Sequence, residues 1–345
     1  MPKVLIIATS HKTRGGITNV IHSHQRGKQW NDFHCKWIET HIDKGLHWKF
    51  IYALRAFFLY IIYLPSAQLI HIHVSEPPSA LRKCVFMWWA KLWRKRTIVH
   101  FHSFSSETTI RSHWKCFYQY LFKQTDMILV LSPYWKKEVC ETFELNNQVR
   151  VLYNPCTSIT DNTSYEKQPY ILYAGGLIER KGYADLIRAF SLISNQFPNW
   201  KLVFAGNGEI EKAKQLTHEL KIEDKVHFLG WINGKDKDKA FKEASIFCLP
   251  SYAEGFPMAV LDAWAYELPV ISTPVGGLKD IVIDQKNILL FNPGDINHLS
   301  YLLNKLIFNS DLRQTLSFES IQLAQNIFNE DVINKELEKL YTEVI

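Results

Sequence analysis

Short apolar runs alternate with longer segments of helical periodicity along the chain. In the first half the runs are residues 3–8, 69–74, 97–101, 127–131 and 149–153. In the second half they are residues 170–174, 201–205, 225–229, 246–249, 269–272 and 288–291. These runs are nearly continuously apolar rather than alternating, as strands covered on both faces are. Helix-length patterns separate most of them, and residues 301–345 read as helical throughout. Strand–helix alternation predicts parallel sheets with right-handed crossovers. Residues 156–168 are polar and unpatterned, flanked by Pro155 and Pro169, and read as a linker. The expected class is α/β, with two Rossmann-like domains facing across a cleft. Ligands of open parallel sheets sit at the carboxyl ends of strands, so the loops there are where chemistry is sought.

Composition narrows this picture. A chain of 345 residues is too long for one ordinary core, and 47% hydrophobic against 21% charged residues excludes disorder over most of it. The six cysteines include no Cys-x-x-Cys pair, which excludes a disulfide scaffold and a zinc ribbon and fits a reducing compartment. The chain begins Met1-Pro2-Lys3 and enters a strand pattern at once, which predicts no secretory leader. The longest apolar stretch, residues 56–64, falls well short of the roughly twenty residues a bilayer span needs. These features predict a soluble, cytoplasmic protein. Charge is uneven: residues 1–150 hold 21 Lys and Arg against 9 Asp and Glu, whereas residues 151–345 are net acidic. The basic half is suited to an anionic surface, unless the two domains simply differ in surface charge. Within it, residues 81–96 carry three Trp and six Lys or Arg. Such a helix can lie at an anionic membrane surface, on the inner face of the plasma membrane, or can pack as an ordinary helix. No nucleic-acid partner is expected.

Four segments could carry chemistry. Arg14-Gly15-Gly16 follows the first strand and enters a helix; paired glycines let backbone N–H groups approach a ligand, and a helix N-terminus favours an anion. The same residues would also make a tight turn, and they complete neither a dinucleotide fingerprint nor a P-loop. His100 and His102 end a strand on one face, with no third metal ligand spaced nearby. Gly175-Gly176 ends another strand ahead of Arg180-Lys181, a basic pair that could meet a diphosphate or form a solvated turn. Finally, Ser251 to Trp264 places Glu254 in a loop, Pro257 at the first turn of a helix, and Asp262 as the only polar residue among apolar ones from Met258 to Ala265. Such a helix is buried, so Asp262 must be paired or bind a ligand hydroxyl. Glu254 sits ahead of the helix N-terminus, where its charge is stabilised.

Taken in order, these segments resemble the retaining glycosyltransferases of the GT-B fold, family 4. That group includes bacterial surface-polysaccharide mannosyl-, glucosyl- and galactosyltransferases. The resemblance covers nearly the whole chain: Gly15-Gly16, Phe101-His102, Leu152-Tyr153-Asn154-Pro155, Gly175–Gly182, Phe228-Leu229-Gly230, Glu254–Asp262 and Pro274-Val275-Gly276-Gly277. It implies an acceptor-binding domain over 1–158, a nucleotide-sugar-binding domain over 165–327, and a C-terminal helix over 328–345 crossing back to the first domain. It further implies that Gly15 and Gly16 lie near the donor phosphate or the acceptor and His102 near the transferred sugar. Lys181 would bind the diphosphate, Glu254 the sugar hydroxyls and Asp262 the ribose, with Gly255, Phe256, Pro257 and Met258 completing the donor site. Two positions depart from the family pattern: Gly176 stands where Arg is usual, so Arg180 is expected to supply that cation, and Asp262 stands where Glu is usual. No Asp-x-Asp motif is evident, and the family generally works without a metal, so no cofactor is expected. The implied partners are a nucleoside diphosphate sugar and a growing glycan or lipid-linked acceptor. A nucleotide-sugar epimerase of the same fold and a non-catalytic nucleotide-sugar-binding protein remain alternatives.

Overall fold

The computed structural model describes residues 1–145, 147–159 and 165–345. The centre of the expected linker, residues 160–164, lies outside the described residues. The chain divides into two compact units, Met1–Pro155 with Asn329–Ile345, and Cys156–Phe328.

In the first unit, β1 (Val4–Ala8), β2 (Lys36–Glu39), β3 (Leu69–Val74), β4 (Arg96–Phe101), β5 (Met127–Val130) and β6 (Val149–Val151) form one parallel sheet in the order β2-β1-β3-β4-β5-β6. The connecting helices are α1 (Gly16–Arg26), α2 (Lys28–Asp32), α3 (Leu46–Tyr63), α4 (Pro77–Leu92), α5 (Lys115–Lys123) and α6 (Pro133–Phe143). The apolar pattern did not reveal β2, because on this edge strand only Ile38 is buried.

The second unit repeats the plan. β7 (Tyr170–Ala174), β8 (Lys201–Ala205), β9 (Val226–Gly230), β10 (Ile246–Leu249), β11 (Val270–Ser272) and β12 (Leu289–Leu290) run in the order β12-β11-β10-β7-β8-β9, again parallel. Its helices are α7 (Tyr183–Ser191), α8 (Ile210–Glu219), α9 (Gly234–Glu243), α10 (Met258–Ala265), α11 (Ile296–Phe308) and α12 (Ser310–Asn326). The helical tail is interrupted twice, at Asn309 and Asn329, whose side chains accept from the first backbone N–H groups of the next helix.

The last helix, α13 (Glu330–Val344), belongs to the first unit. Its buried face, Ile333, Leu337, Leu340 and Tyr341, packs in one cluster with Val4, Ile6, Leu69, Ile98 and Leu129 from the sheet. Polar contacts hold it in register. Arg26 pairs with Glu330, and Asn334 accepts at Oδ1 from Gln29 and donates to the Ser23 carbonyl.

Two expectations are corrected here. The sequence showed no apolar stretch of membrane length, yet Leu46–Ser66 forms a helical segment of 21 residues that is long and apolar enough, by length and composition, to cross a membrane. Lys49 and Arg55 interrupt its apolar run in sequence, but two charges in so long a helix leave its mean character apolar. The basic Trp-rich segment, residues 81–96, is also not one helix: α4 starts earlier and ends at Leu92, and Arg96 opens β4. Lys83 does not reach the surface; it is buried, donating to the His73 carbonyl (2.5 Å) and to Ser79 Oγ (3.0 Å).

Candidate active site

In the second unit β7 lies beside β10, and both are parallel, so the loops leaving them emerge at the same carboxyl edge of the sheet. That adjacency joins two segments about seventy residues apart in sequence. After β7 the chain passes Gly175-Gly176 and makes a short turn over Glu179–Lys181, closed by Gly182 in the left-handed region at φ 67°. A Cβ at Gly182 would lie 2.0 Å from the Pro250 carbonyl oxygen, so only glycine allows this turn to press on the end of β10. The Tyr252 N–H donates to the Arg180 carbonyl (2.8 Å) and fastens the two loops together.

Glu254 sits at their junction. Its carboxylate is buried and receives Lys181 Nζ at 2.5 Å, Arg180 at 3.7 Å and the Ser251 hydroxyl at 2.8 Å. Arg180 also donates to the Ala253 carbonyl. The structure thus brings together three of the residues singled out from sequence, and adds Ser251. A third loop, after β11, supports the cluster: Gly277 N–H donates to the Gly255 carbonyl (2.9 Å), and Thr273 Oγ1 donates to the Ser251 carbonyl (2.5 Å). Gly276, at φ 57°, comes so close to the Glu254 backbone that a Cβ there would lie 1.8 Å from its carbonyl oxygen.

Asp262 lies elsewhere on this frame. Buried in α10 as expected, it pairs with Lys237 Nζ of α9 at 2.7 Å and accepts from the Thr157 hydroxyl. Lys237 went unnoticed in the sequence, because it sits in the exposed run Lys235-Asp236-Lys237-Asp238-Lys239, where it reads as one more surface charge. Phe256 turns inward against Phe328, with ring centroids 5.6 Å apart, and Pro257 stands one position before the first helical residue, Met258. A cavity of about 550 Å³ opens beside the basic turn, lined by residues that include Arg180, Tyr183, Asp185, Arg188, Lys212 and Tyr252. Neither Lys181 nor Glu254 lines it, so the cation–carboxylate cluster and this hollow are separate features of the same edge.

In the first unit Gly15-Gly16 leads into α1, and His102 directly follows β4; both lie at the carboxyl edge of their sheet. Gly15, at φ 156°, has open space where a side chain would be. His102 is not one of an isolated pair. His71 and His73 on β3, His100 on β4 and His102 just beyond it lie ring against ring, with centroids 4.0 Å apart for His100–His102 and 4.4 Å for His71–His73. His73 Nδ1 meets His102 Nε2 at 2.9 Å, and His71 Nδ1 meets the Tyr341 hydroxyl at 2.7 Å. Burial, with charge from Lys83 and His24, pushes His102 down to about 3, and burial lowers His71, His73 and His100 well below the ordinary imidazole value. Burial likewise pushes Lys83 down to about 7.

Ring nitrogens of His71, His73 and His100 lie within 4.8 Å of one another, a grouping across two strands that differs from the His100 and His102 pair considered in the sequence. The rings face one another, at 16° for His71–His100, 23° for His71–His73 and 36° for His73–His100. Their in-plane lone pairs therefore point side by side instead of converging on one tetrahedral centre. The stack does not fit a metal site.

A sequence profile of the glycosyl transferases group 1 matches residues 157–322. An uncharacterised glycosyltransferase of Methanocaldococcus jannaschii is 30% identical over 265 residues, covering 74% of this chain and 70% of that protein. The chain belongs to the group 1 glycosyltransferases. An α-1,4-N-acetyl-D-galactosaminyltransferase of Campylobacter jejuni, whose name gives a diphosphoundecaprenol-linked saccharide as acceptor, is 29% identical over 57% of this chain and 55% of its own length. Against the first curated relatives the match spans about 60% of their length. Among solved structures, Anabaena HepE in complex with UDP-glucose superposes with a TM-score of 0.79 at 16% identity, over 99% of each chain. This group 1 glycosyltransferase thus has the α/β GT-B fold expected from its sequence, with two six-stranded parallel sheets.

Proposed function

We propose that the protein is a retaining glycosyltransferase that moves a hexose-type sugar from a nucleoside diphosphate to a growing cell-surface glycan or lipid-linked acceptor. The observation that carries this reading is the Glu254 cluster: a buried carboxylate holding Lys181 and Arg180 at the carboxyl edge of a parallel sheet. As the glycosidic bond to the donor breaks, negative charge gathers on the departing diphosphate. Fixed cations stabilise that charge more than they stabilise the ground state. Lys181 and Arg180 take this role without a metal or other cofactor, with Arg180 standing in for the arginine that Gly176 replaces. Glu254 accepts from donor-sugar hydroxyls, Asp262 from the ribose, and the segment Gly255-Phe256-Pro257-Met258 walls the donor site through its backbone. In the acceptor-binding first unit, Gly15 and Gly16 offer backbone N–H groups, and His102, neutral at physiological pH because burial disfavours its charged form, sits near the transferred sugar.

Incubation of the purified chain with radiolabelled UDP-, GDP- and ADP-sugars and lipid-linked acceptors tests the reading. UDP-sugars come first, because UDP-glucose occupies the structural relative. Net transfer with the anomeric configuration kept supports it. Interconversion of the sugar nucleotide without transfer, or binding without turnover, overturns it.

A further inference from the structure

The helix α3 is apolar apart from Lys49, Arg55 and His47, but only one side of it is buried. Ala56 and Tyr60 face the unit, and Tyr60 ties α3 to α4 by donating to the Phe86 carbonyl (2.6 Å). On the opposite side Phe50, Leu54, Phe58 and Ile62 recur every fourth residue, each 43–66% exposed, with Ile51 beside them. Such a spacing lays them in one stripe along about 18 Å of helix. Ring contacts between Phe57 and Trp89 join α3 to α4, whose exposed Val85, Trp88 and Leu92, with Trp93 just beyond, continue the apolar surface. Scattered exposed apolar residues need no explanation, but a contiguous field of this size does.

The charge around the field names its occupant. Neither α3 nor α4 contains an Asp or Glu; Lys49 and Arg82 lie on these helices and Lys44 and Arg94 close to their ends in sequence, against the acid Asp43 just ahead of α3, which acts on Arg82. We infer that α3 and α4 together form a docking face for an anionic lipid bilayer, with α3 lying in the plane of the headgroups. Apolar side chains enter the acyl boundary, and the flanking cations meet the lipid phosphates. α3 lies along the membrane and does not cross it, since crossing would tear Ala56 and Tyr60 from the unit and leave the Tyr60 hydroxyl without the Phe86 carbonyl. The charge-rich residues 81–96 are thus the lesser part of the face: Lys83 is buried, and Lys91 and Arg96 are engaged by Asp126. A lipid-linked acceptor, part of the function proposed above, would make this contact useful. Lipid binding is nevertheless read without nucleotide or acceptor, so its failure is distinct from failure of the transferase reading.

The test is sedimentation of the full chain with vesicles of phosphatidylglycerol and phosphatidylcholine, or of phosphatidylcholine alone, at low and high salt. Salt-sensitive binding to the anionic vesicles is expected. The triple substitution Phe50→Ser, Leu54→Ser and Phe58→Ser should weaken it at least about tenfold, more than Trp88→Ser with Leu92→Ser does. Hydrogen exchange of the unmodified chain supplies a readout independent of variant folding: amides of residues 46–63 should gain protection on anionic vesicles. Equal binding to neutral vesicles, full binding by the triple variant, no protection over residues 46–63, or a dimer that the triple variant dissolves would each overturn the inference.

Discussion

Lowering the pH from 7 to 5 should strongly destabilise the first unit, because its sheet carries a stack of imidazoles that burial holds neutral. His24, His71, His73 and His100 are nearly or fully buried, and His24 Nε2, His71 Nε2, His73 Nε2 and both nitrogens of His100 have no hydrogen-bond partner among the described residues. Burial, only partly offset by the Asn334 hydrogen bond and the charge of Glu330, pushes His24 down to about 4. The sign follows from linkage. A folded value below the unfolded one of about 6.5 means that the unfolded chain binds more protons below pH 6.5, so the stabilisation is complete above that pH and is lost as pH falls toward the folded values. For His24 at about 4 and His102 at about 3, the loss between pH 7 and pH 5 is about 2 kcal/mol each. His71, His73 and His100 move in the same direction. Against a usual stability of about 5–15 kcal/mol, the roughly 4 kcal/mol from His24 and His102 is already a large share, and the other three add to it in sign. Urea unfolding followed by tryptophan fluorescence reports on this unit, which holds eight of the eleven Trp residues. The slope of unfolding free energy against pH near pH 5 should correspond to uptake of up to about five protons, and His100→Leu should lower that number by about one. A stability unchanged from pH 7 to 5, or the same proton uptake in His100→Leu, would refute the reasoning.

Three further outcomes are expected from the proposed donor site. Lys181→Ala should weaken nucleoside diphosphate binding about ten- to hundred-fold, the worth of a charge-assisted hydrogen bond, by calorimetry; unchanged affinity in the Lys181→Ala/Arg180→Ala double variant would show that the basic turn does not hold the diphosphate. Glu254→Gln keeps the shape of the cluster and removes its charge, so turnover should fall about a hundred-fold or more in a steady-state transfer assay. Asp262→Ala should raise the donor KM more than it lowers kcat. It should also lower Tm, since it strands Lys237, whereas Asp262→Glu should be tolerated if the ribose is its partner; a Tm loss with an unchanged KM would make the carboxylate purely structural.

Much of the fold was legible because parallel strands buried on both faces are written as continuous apolar runs. The runs at 69–74, 170–174, 201–205 and 246–249 coincide with β3, β7, β8 and β10. The edge strand β2 escaped because half-burial leaves no such run. The residue types of the Glu254 cluster were legible too, since glycines, a basic pair and a carboxylate ahead of a helix stand out at the ends of strand-like runs.

What the sequence determined by itself is the set of local commitments: which stretches become strands, where the chain turns, and that Asp262 would be buried and need a partner. Tertiary structure decided who meets whom. Glu254 faces Lys181 because β7 and β10 are neighbours in a sheet whose order is not the order of the chain. Asp262 meets Lys237 because α9 packs where its exposed charge run can reach inward. Four histidines in two short motifs become one stack, three of them buried, because β3 and β4 pair with His73 opposite His100. The apolar face of α3 stays uncovered for the same reason: periodicity says that a helix has an apolar side, but only packing says which side another element covers.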